Sequence, residues 1–221
     1  MLPKTESLID YVREIEAAAA MITETWLKQG SNTERMTTDL EDGFGLKILH
    51  KDRHTRADGR HAGGGVAILF DPQKVNLRQY TLKKSNHEII VATGRLTSVK
   101  RKIVLIYAYI PPGATVRTGK AFLRTITDVI DNVKKKLKNP FVLVGGDFNR
   151  IKIHQALEQY HDIEILHTPP RCGNATLDVL VTNITECQAR VLPPLHTPNT
   201  QKKSDHLVVV MEADFGNEPP Q

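Results

Sequence analysis

One apolar run in this chain ends in chemistry. Phe141-Val142-Leu143-Val144 reads as a buried strand, and Gly145-Gly146-Asp147-Phe148-Asn149 follows at once. A carboxylate and an amide two residues apart at a strand end share one side, because side chains alternate with period two. The glycines let the backbone turn sharply and let a ligand come close. Such an end can hold a metal or an attacking water. Taken alone, it reads equally well as a strand closed by an Asx-type turn.

Two further segments carry the same signature. Ser204-Asp205-His206 opens the apolar run Leu207 to Met211. Glu24-Thr25-Trp26 follows the short apolar run Ala18 to Ile22. A Glu, two Asp, an Asn and a His are thus all expected at the ends of core strands, where one rim of a sheet structure gathers them.

The remaining pattern predicts the architecture. Leu8, Val12, Ile15 and Ala19 recur at helical spacing, so a first helix is expected from Thr5 to about Ala18. Lys28 to Leu40 reads as polar and turn-like, Gly45 to His50 as a strand, and His50 to His61 as a basic loop. Gly63-Gly64-Gly65 leads into the buried strand Val66 to Phe70. It is no phosphate loop, because a strand follows and no Lys-Ser or Lys-Thr does. Glu88 to Thr97 and Lys102 to Tyr109 form a strand pair, stopped by Pro111-Pro112-Gly113. Phe122, Leu123, Ile126, Val129, Ile130, Val133 and Leu137 mark an amphipathic helix from about Thr118 to Lys138. A short helix is expected at His154 to Tyr160, then strands at Thr176 to Thr182, Cys187 to Leu192 and His206 to Met211. Strands outnumber helices, and the helices fall between strand groups. That predicts two sheets packed face to face with helices outside, as one α+β domain over 1–215 with a tail at 216–221.

Composition narrows the partner. Apolar residues make up 40% and charged residues 25%, an ordinary globular balance. No apolar run approaches the roughly 20 residues that span a bilayer. Cys172 and Cys187 are too few for a disulfide scaffold and fit a reduced, intracellular compartment. The net charge of +5 favours a polyanion. It clusters at Lys51, Arg53, Arg56 and Arg60, at Lys134, Lys135, Lys136 and Lys138, and at Lys202-Lys203. The middle cluster reads as a solvated helix end; the last adjoins the Ser-Asp-His segment and reads as a phosphate contact. His50, His54 and His61 lack zinc-ligand spacing. Trp26 reads as a core residue. Asp178 lies inside an apolar strand, where an unpaired carboxylate is costly, and so reads as functional.

With these residues in hand, the chain resembles the endonuclease/exonuclease/phosphatase superfamily, a deoxyribonuclease-like four-layer α/β/β/α sandwich. Within it, the chain looks most like the endonuclease domain of non-LTR retrotransposons. The phrases that carry the resemblance are Thr23 to Leu27, Gly63 to Ala67, Tyr109 to Pro112, Gly146 to Asn149, Thr176 to Asn183 and Ser204 to His206. The resemblance implies a metal-dependent DNA endonuclease with Mg²⁺ or Mn²⁺ held by Glu24 and Asp205. It implies His206 as the phosphate-binding or acid/base histidine, with Asp178 as its hydrogen-bond partner. Asp147 would orient or deprotonate the attacking water, Asn149 would hold water or phosphate, and Tyr109 would donate to a phosphate oxygen. Thr168, Arg171 and Asn174 would touch the nucleic acid, as would Lys202 and Lys203. DNA is the expected partner, in the nucleus if the chain is functional; neither a membrane nor an obligate protein partner is expected.

The chain departs from the family in one place. Family members begin with a strand bearing an Asn just before the first helix, whereas this sequence opens at Met1-Leu2-Pro3-Lys4, almost at that helix. A sandwich lacking its first strand is therefore expected, with reduced stability and weakened catalysis. A non-catalytic nucleic-acid-binding remnant and a phosphatase of the same fold are the alternatives.

Overall fold

Three long apolar segments with few interruptions set the centre of the molecule. They are β5 (Glu88–Leu96), β6 (Lys102–Tyr109) and β7 (Phe141–Asp147). The computed structural model describes residues 5–27, 31–52, 64–82, 85–99, 101–149, 151–166, 178–194 and 208–215. β5 and β6 form an antiparallel pair, and β6 and β7 run parallel. Parallel neighbours need a long crossover, and α3 (Val116–Lys136) supplies it. Thr115 caps α3, its hydroxyl accepting from the Thr118 amide at 3.1 Å. With β4 (Val75–Gln79), β8 (Glu164–Leu166) and β9 (Asp178–Thr182), the strands make a six-stranded sheet in the order β4-β5-β6-β7-β9-β8.

Strand alternation divides this sheet into two faces. Ile89, Val91, Val104, Ile106, Val142 and Val144 point to one face, where Phe122, Ile126, Val129, Ile130 and Val133 of α3 cover them. Ile153 and Leu157 of α4 (Ile153–Leu157) join that cluster. Ile90, Ala92, Leu105, Tyr109, Leu143 and Leu180 point to the other face and meet a second sheet layer. That layer consists of two ladders. One is β1 (Ala19–Thr23), β3 (Val66–Phe70) and β2 (Lys47–Lys51), in the order β1-β3-β2. The other is β10 (Cys187–Leu192) with β11 (Val208–Ala213). Outside the three-stranded ladder, Ile9 and Val12 of α1 (Thr5–Glu14) pack with Met36 and Leu40 of α2 (Ser31–Phe44). The order of layers is therefore helix, sheet, sheet, helix, as the pattern predicts. Each buried Ile, Val, Leu or Phe of these clusters stabilises the fold by roughly 1.5–3 kcal/mol relative to its exposed state.

Several elements differ from the sequence reading. Lys28 to Leu40, read as turn-like, lies largely in α2. Among the described residues there, only Thr33, Met36 and Leu40 are buried, at spacings of three and four. That stripe is too thin to register as periodicity, and it is amphipathic only because Leu46 and α1 cover it. α2 stops at Gly45, whose φ of +68° is left-handed. α1 ends at Glu14, short of Ala18, where Glu16 turns left-handed at φ +51°. β4 and β8 escape the sequence reading because they are short edge strands that take their conformation from β5 and β9.

Two glycines fit β7 into this frame. Gly146 has φ +153°, and a Cβ there would overlap the Ala108 carbonyl of β6. At Gly145 a Cβ would stand 3.2 Å from Leu180 Cδ1 and Met21 Cε, and 3.3 Å from Tyr107 Cδ2. Side chains from β1, β6 and β9 thus close over β7 at that point. Gly146→Ala should cost at least about 3 kcal/mol, because the obstacle is backbone and cannot rotate away. A urea melt checks this; an unchanged midpoint would contradict the β6–β7 packing.

Candidate active site

Register turns scattered polar residues into a row. Glu88 pairs with Tyr109, Tyr109 with Asp147, and Asp147 with Asp178. Paired residues on neighbouring strands project to the same face. Glu88, Tyr109, Asp147 and Asp178 therefore stand side by side across β5, β6, β7 and β9, on the face turned to the second sheet layer. All four lie at the same rim, where β7 ends.

The second layer delivers Glu24 to this row. β1 ends at Thr23, and Glu24 then adopts φ +52°, a left-handed conformation. The Tyr109 hydroxyl donates to Glu24 Oε1 at 2.8 Å. The phenol assigned by resemblance to a phosphate oxygen here anchors the proposed metal carboxylate. Trp26 is also left-handed, at φ +52°. For residues other than glycine this conformation is uncommon, costs of order 1–3 kcal/mol, and clusters at functional sites.

Glu88, which the sequence reading missed, ties the two layers together. Its Oε2 accepts from the Gly65 amide at 2.6 Å. The backbone after Gly63 is held in turn against the Glu24 segment. Thr25 N donates to Gly65 O at 3.4 Å, and Trp26 N donates to Gly64 O at 2.9 Å. Gly65 has φ +88°, and a Cβ there would crowd the buried Thr25 Oγ1 at 2.6 Å. Among the described residues that hydroxyl has no hydrogen-bond partner. Gly65 is thus a point of close backbone approach. A lone Glu at the start of an apolar strand is the only signal that marks Glu88 in the sequence.

Asp147 and Asn149 do not share a strand face. β7 ends at Asp147, and Asn149 sits beyond it at φ +47°. Asp147 is buried, and its Oδ1 accepts from the Asn149 amide at 3.0 Å in an Asx turn. Asn149 Nδ2 donates to the Ile110 carbonyl at 2.8 Å, fixing the turn to the end of β6. The motif is an Asx turn, and the turn fixes the Asp147 carboxylate in place. Below the row, burial pushes the Tyr107 hydroxyl far above its ordinary pKa, and the Asp178 carboxylate pushes it further. A hydrogen bond with Thr23 acts in the opposite direction. Tyr107 stays a neutral phenol beneath two carboxylates.

The basic clusters separate. Lys51 Nζ donates to the Ser85 carbonyl at 3.0 Å, beside Glu88. Desolvation lowers the Lys51 pKa, and Glu88 opposes that shift. Lys134 pairs with Asp162, and Lys136 reaches the Tyr80 hydroxyl at 3.4 Å. These lysines close α3 before β7 begins, at the opposite end of the sheet from Asp147. They suit a helix C-terminus and do not serve the rim. Trp26, expected in the core, is 62% exposed. Asp205, His206, Lys202, Lys203, Thr168, Arg171 and Asn174 lie outside the described residues, as do His54 and His61.

The donor set fits a hard divalent cation mounted on one protein carboxylate. Glu24 supplies oxygen, and Tyr109 fixes its position. Among the described residues, no three His, Cys, Asp or Glu side chains gather closely enough to hold an ion by themselves. A carboxylate oxygen such as that of Glu24 is the hard donor Mg²⁺ takes, together with waters and substrate phosphate.

Comparison with known proteins agrees with this architecture. The model of the endonuclease/exonuclease/phosphatase family matches residues 1–206. A search of the curated proteins finds no match. Among solved structures, the human nocturnin catalytic domain with bound sulfate superposes with a TM-score of 0.66 at 15% identity, covering 94% of this chain and 84% of that one. A mannosyl-6-phosphatase from Bacteroides thetaiotaomicron gives 0.67 at 11% identity, covering 96% and 91%. A truncated Caenorhabditis elegans TDP2 gives 0.64 at 11% identity, covering 96% and 90%. At these identities the likeness is one of fold.

Two stability measurements test the tie between layers and the packing beside it. Glu88→Gln replaces a charge-assisted bond to Gly65 by a neutral one, so about 1–2 kcal/mol of stability should be lost. Amide exchange at Gly65 and Trp26 should quicken, and an unchanged pattern would deny the tie. His87, beside Glu88, packs edge-on against Phe122 at 5.6 Å between ring centroids. Burial lowers its pKa below the usual 6.5, and Lys51 lowers it further. The unfolded chain therefore takes up this proton first as pH falls through about 6.5. Stability should drop below that pH until the folded ring itself titrates. His87→Gln should flatten the fall in urea midpoint between pH 7 and 5, and an equally steep fall would acquit His87.

Proposed function

Because the chain belongs to the endonuclease/exonuclease/phosphatase family, we propose that it is a metal-dependent phosphodiester hydrolase whose substrate is DNA. The observation that carries this reading is the row Tyr109, Asp147 and Asp178 at one rim, with Glu24 pinned to its end by Tyr109. The phrases by which the sequence resembles non-LTR retrotransposon endonucleases, together with the net charge of +5, support DNA nicking as the particular reaction.

Each residue has a part in an in-line attack. Asp147, aimed by the Asn149 amide, orients the attacking water and takes its proton. Asp178, at the end of the row, would accept a hydrogen bond from His206, as the family resemblance implies, and hold that imidazole in its charged form. Tyr109 keeps Glu24 in place. A Mg²⁺ or Mn²⁺ ion on Glu24, with Asp205 as a further ligand, would neutralise charge on the phosphate and the leaving oxygen. Asn149 holds the end of β7 to β6, so that the carboxylate does not swing as the phosphate enters.

Supercoiled plasmid tests the reading. Nicking should appear with Mg²⁺ or Mn²⁺ and vanish with chelator. Asp147→Asn keeps the acceptor for the Asn149 amide but removes the base, so the rate should fall by about 10²-fold or more. Asp178→Asn and His206→Ala should also fall by orders of magnitude. Release of phosphate from a soluble phosphomonoester, with intact plasmid, would replace the nuclease by a phosphatase. Binding of DNA without any cleavage would leave only the nucleic-acid-binding alternative.

A further inference from the structure

Trp26 is the sole tryptophan of the chain and is 62% exposed. Its backbone is held in a left-handed conformation by a bond from its amide to the Gly64 carbonyl. The residues around it alternate sharply: Glu24 is exposed, Thr25 is buried at 1%, and Trp26 is exposed again. Thr25 is thus driven in as the anchor, and the carboxylate and the indole are both left outside. Among the described residues, no ring or cation stacks on the indole. By contrast, the Arg13 guanidinium lies 5.0 Å from the ring centre of the half-exposed Phe44.

A large flat apolar surface left in water is unfavourable, and so is a left-handed backbone at a residue other than glycine. Here both occur two residues from the Glu24 carboxylate. Among the described residues the row beside Glu24 is Glu88, Tyr109, Asp147 and Asp178, with Tyr109 buried, so Trp26 adds an exposed π-face beside the phosphate chemistry proposed for the rim. A chain with excess positive charge attracts a polyanion, and a base presents the complementary flat face. We propose that Trp26 is a stacking platform for a nucleobase flanking the scissile phosphate, which makes it a specificity-determining residue. This rests on the phosphodiester reading above. Stacking is tolerant of sequence, because every base has a π-face. The platform therefore selects unstacked or flipped bases and does not read base edges.

The single indole is its own reporter. A single-stranded oligonucleotide is titrated into the full chain with chelator present, so that no cleavage intervenes. Intrinsic fluorescence is followed beside the anisotropy of a label on the oligonucleotide. A second titration uses a deoxyribose-phosphate oligomer of equal length that lacks bases. Quenching by the first and not by the second is expected. Trp26→Ala should bind the base-bearing strand about 5- to 100-fold more weakly and the abasic strand equally well. Trp26→Phe should restore most of the difference. Equal melting temperatures for the wild type and both variants exclude unfolding as the cause. Binding seen by anisotropy, without quenching and without loss in Trp26→Ala, would overturn the platform and leave the nuclease reading standing. Absence of oligonucleotide binding would overturn both. Quenching by a sugar phosphate such as mannose 6-phosphate, with no effect of the oligonucleotide, would assign the indole to a sugar ring and overturn the nucleobase.

Discussion

The insertion of β7 between β6 and β9 is the constraint on which this rim depends. Parallel pairing with β6 sets Asp147 beside Tyr109, and antiparallel pairing with β9 sets it beside Asp178. A slip of one residue would turn every side chain of β7 to the opposite face. It would bury Asp147 against α3 and expose Val144 to the second layer. Gly146 guards that register, because only its bare backbone passes the Ala108 carbonyl. Part of the energy that holds β7 comes from Val142 and Val144, clustered with Phe122 and Ile130 on the face away from the chemistry. Packing on one side of the sheet thus positions carboxylates on the other.

A second constraint joins the layers. The sheet–sheet interface is apolar through most of its area, so it fixes distance better than lateral position. Lateral position at the rim comes from directional bonds, among them Glu88 to Gly65, Tyr109 to Glu24 and Tyr107 to Thr23. All three cross from the six-stranded sheet to the ladder of β1 and β3. Glu88 is buried, and Lys51 stands beside it in the same desolvated corner. In this low-dielectric setting such bonds are strong when made and costly when lost. The left-handed backbones of Glu24 and Trp26 are the strain that these bonds sustain.

Much of the fold was legible from the chain because burial on two sides leaves a plain mark. Val66 to Phe70, Lys102 to Tyr109 and Phe141 to Val144 are buried almost throughout, and their apolar runs say so. α3 was equally clear, since five of its buried side chains recur on one stripe. α2 was not, because a helix on the outermost layer needs only Thr33, Met36 and Leu40 to dock. β4 and β8 lie at the two edges of the six-stranded sheet, where neighbours and not composition impose the strand. Trp26 was misjudged because residue type alone places an indole inside. Its exposure follows from a backbone turn that no periodicity records.

For the rim itself, sequence determined which chemical groups were available. Glu24, Asp147 and Asn149 are identifiable from local pattern, since a polar residue closing an apolar run is a local event; Asp178 stands out as a carboxylate within an apolar strand, and Tyr109 only through the family resemblance. Only the tertiary structure decided how they are arranged. It set Tyr109 on Glu24, turned Asn149 toward Ile110, brought Glu88 to Gly65 and left Trp26 outside. These partners lie 23 to 85 residues apart in the chain. Register between strands sets such pairings, and register is a property of the packed sheet, where all the side chains must find their faces together.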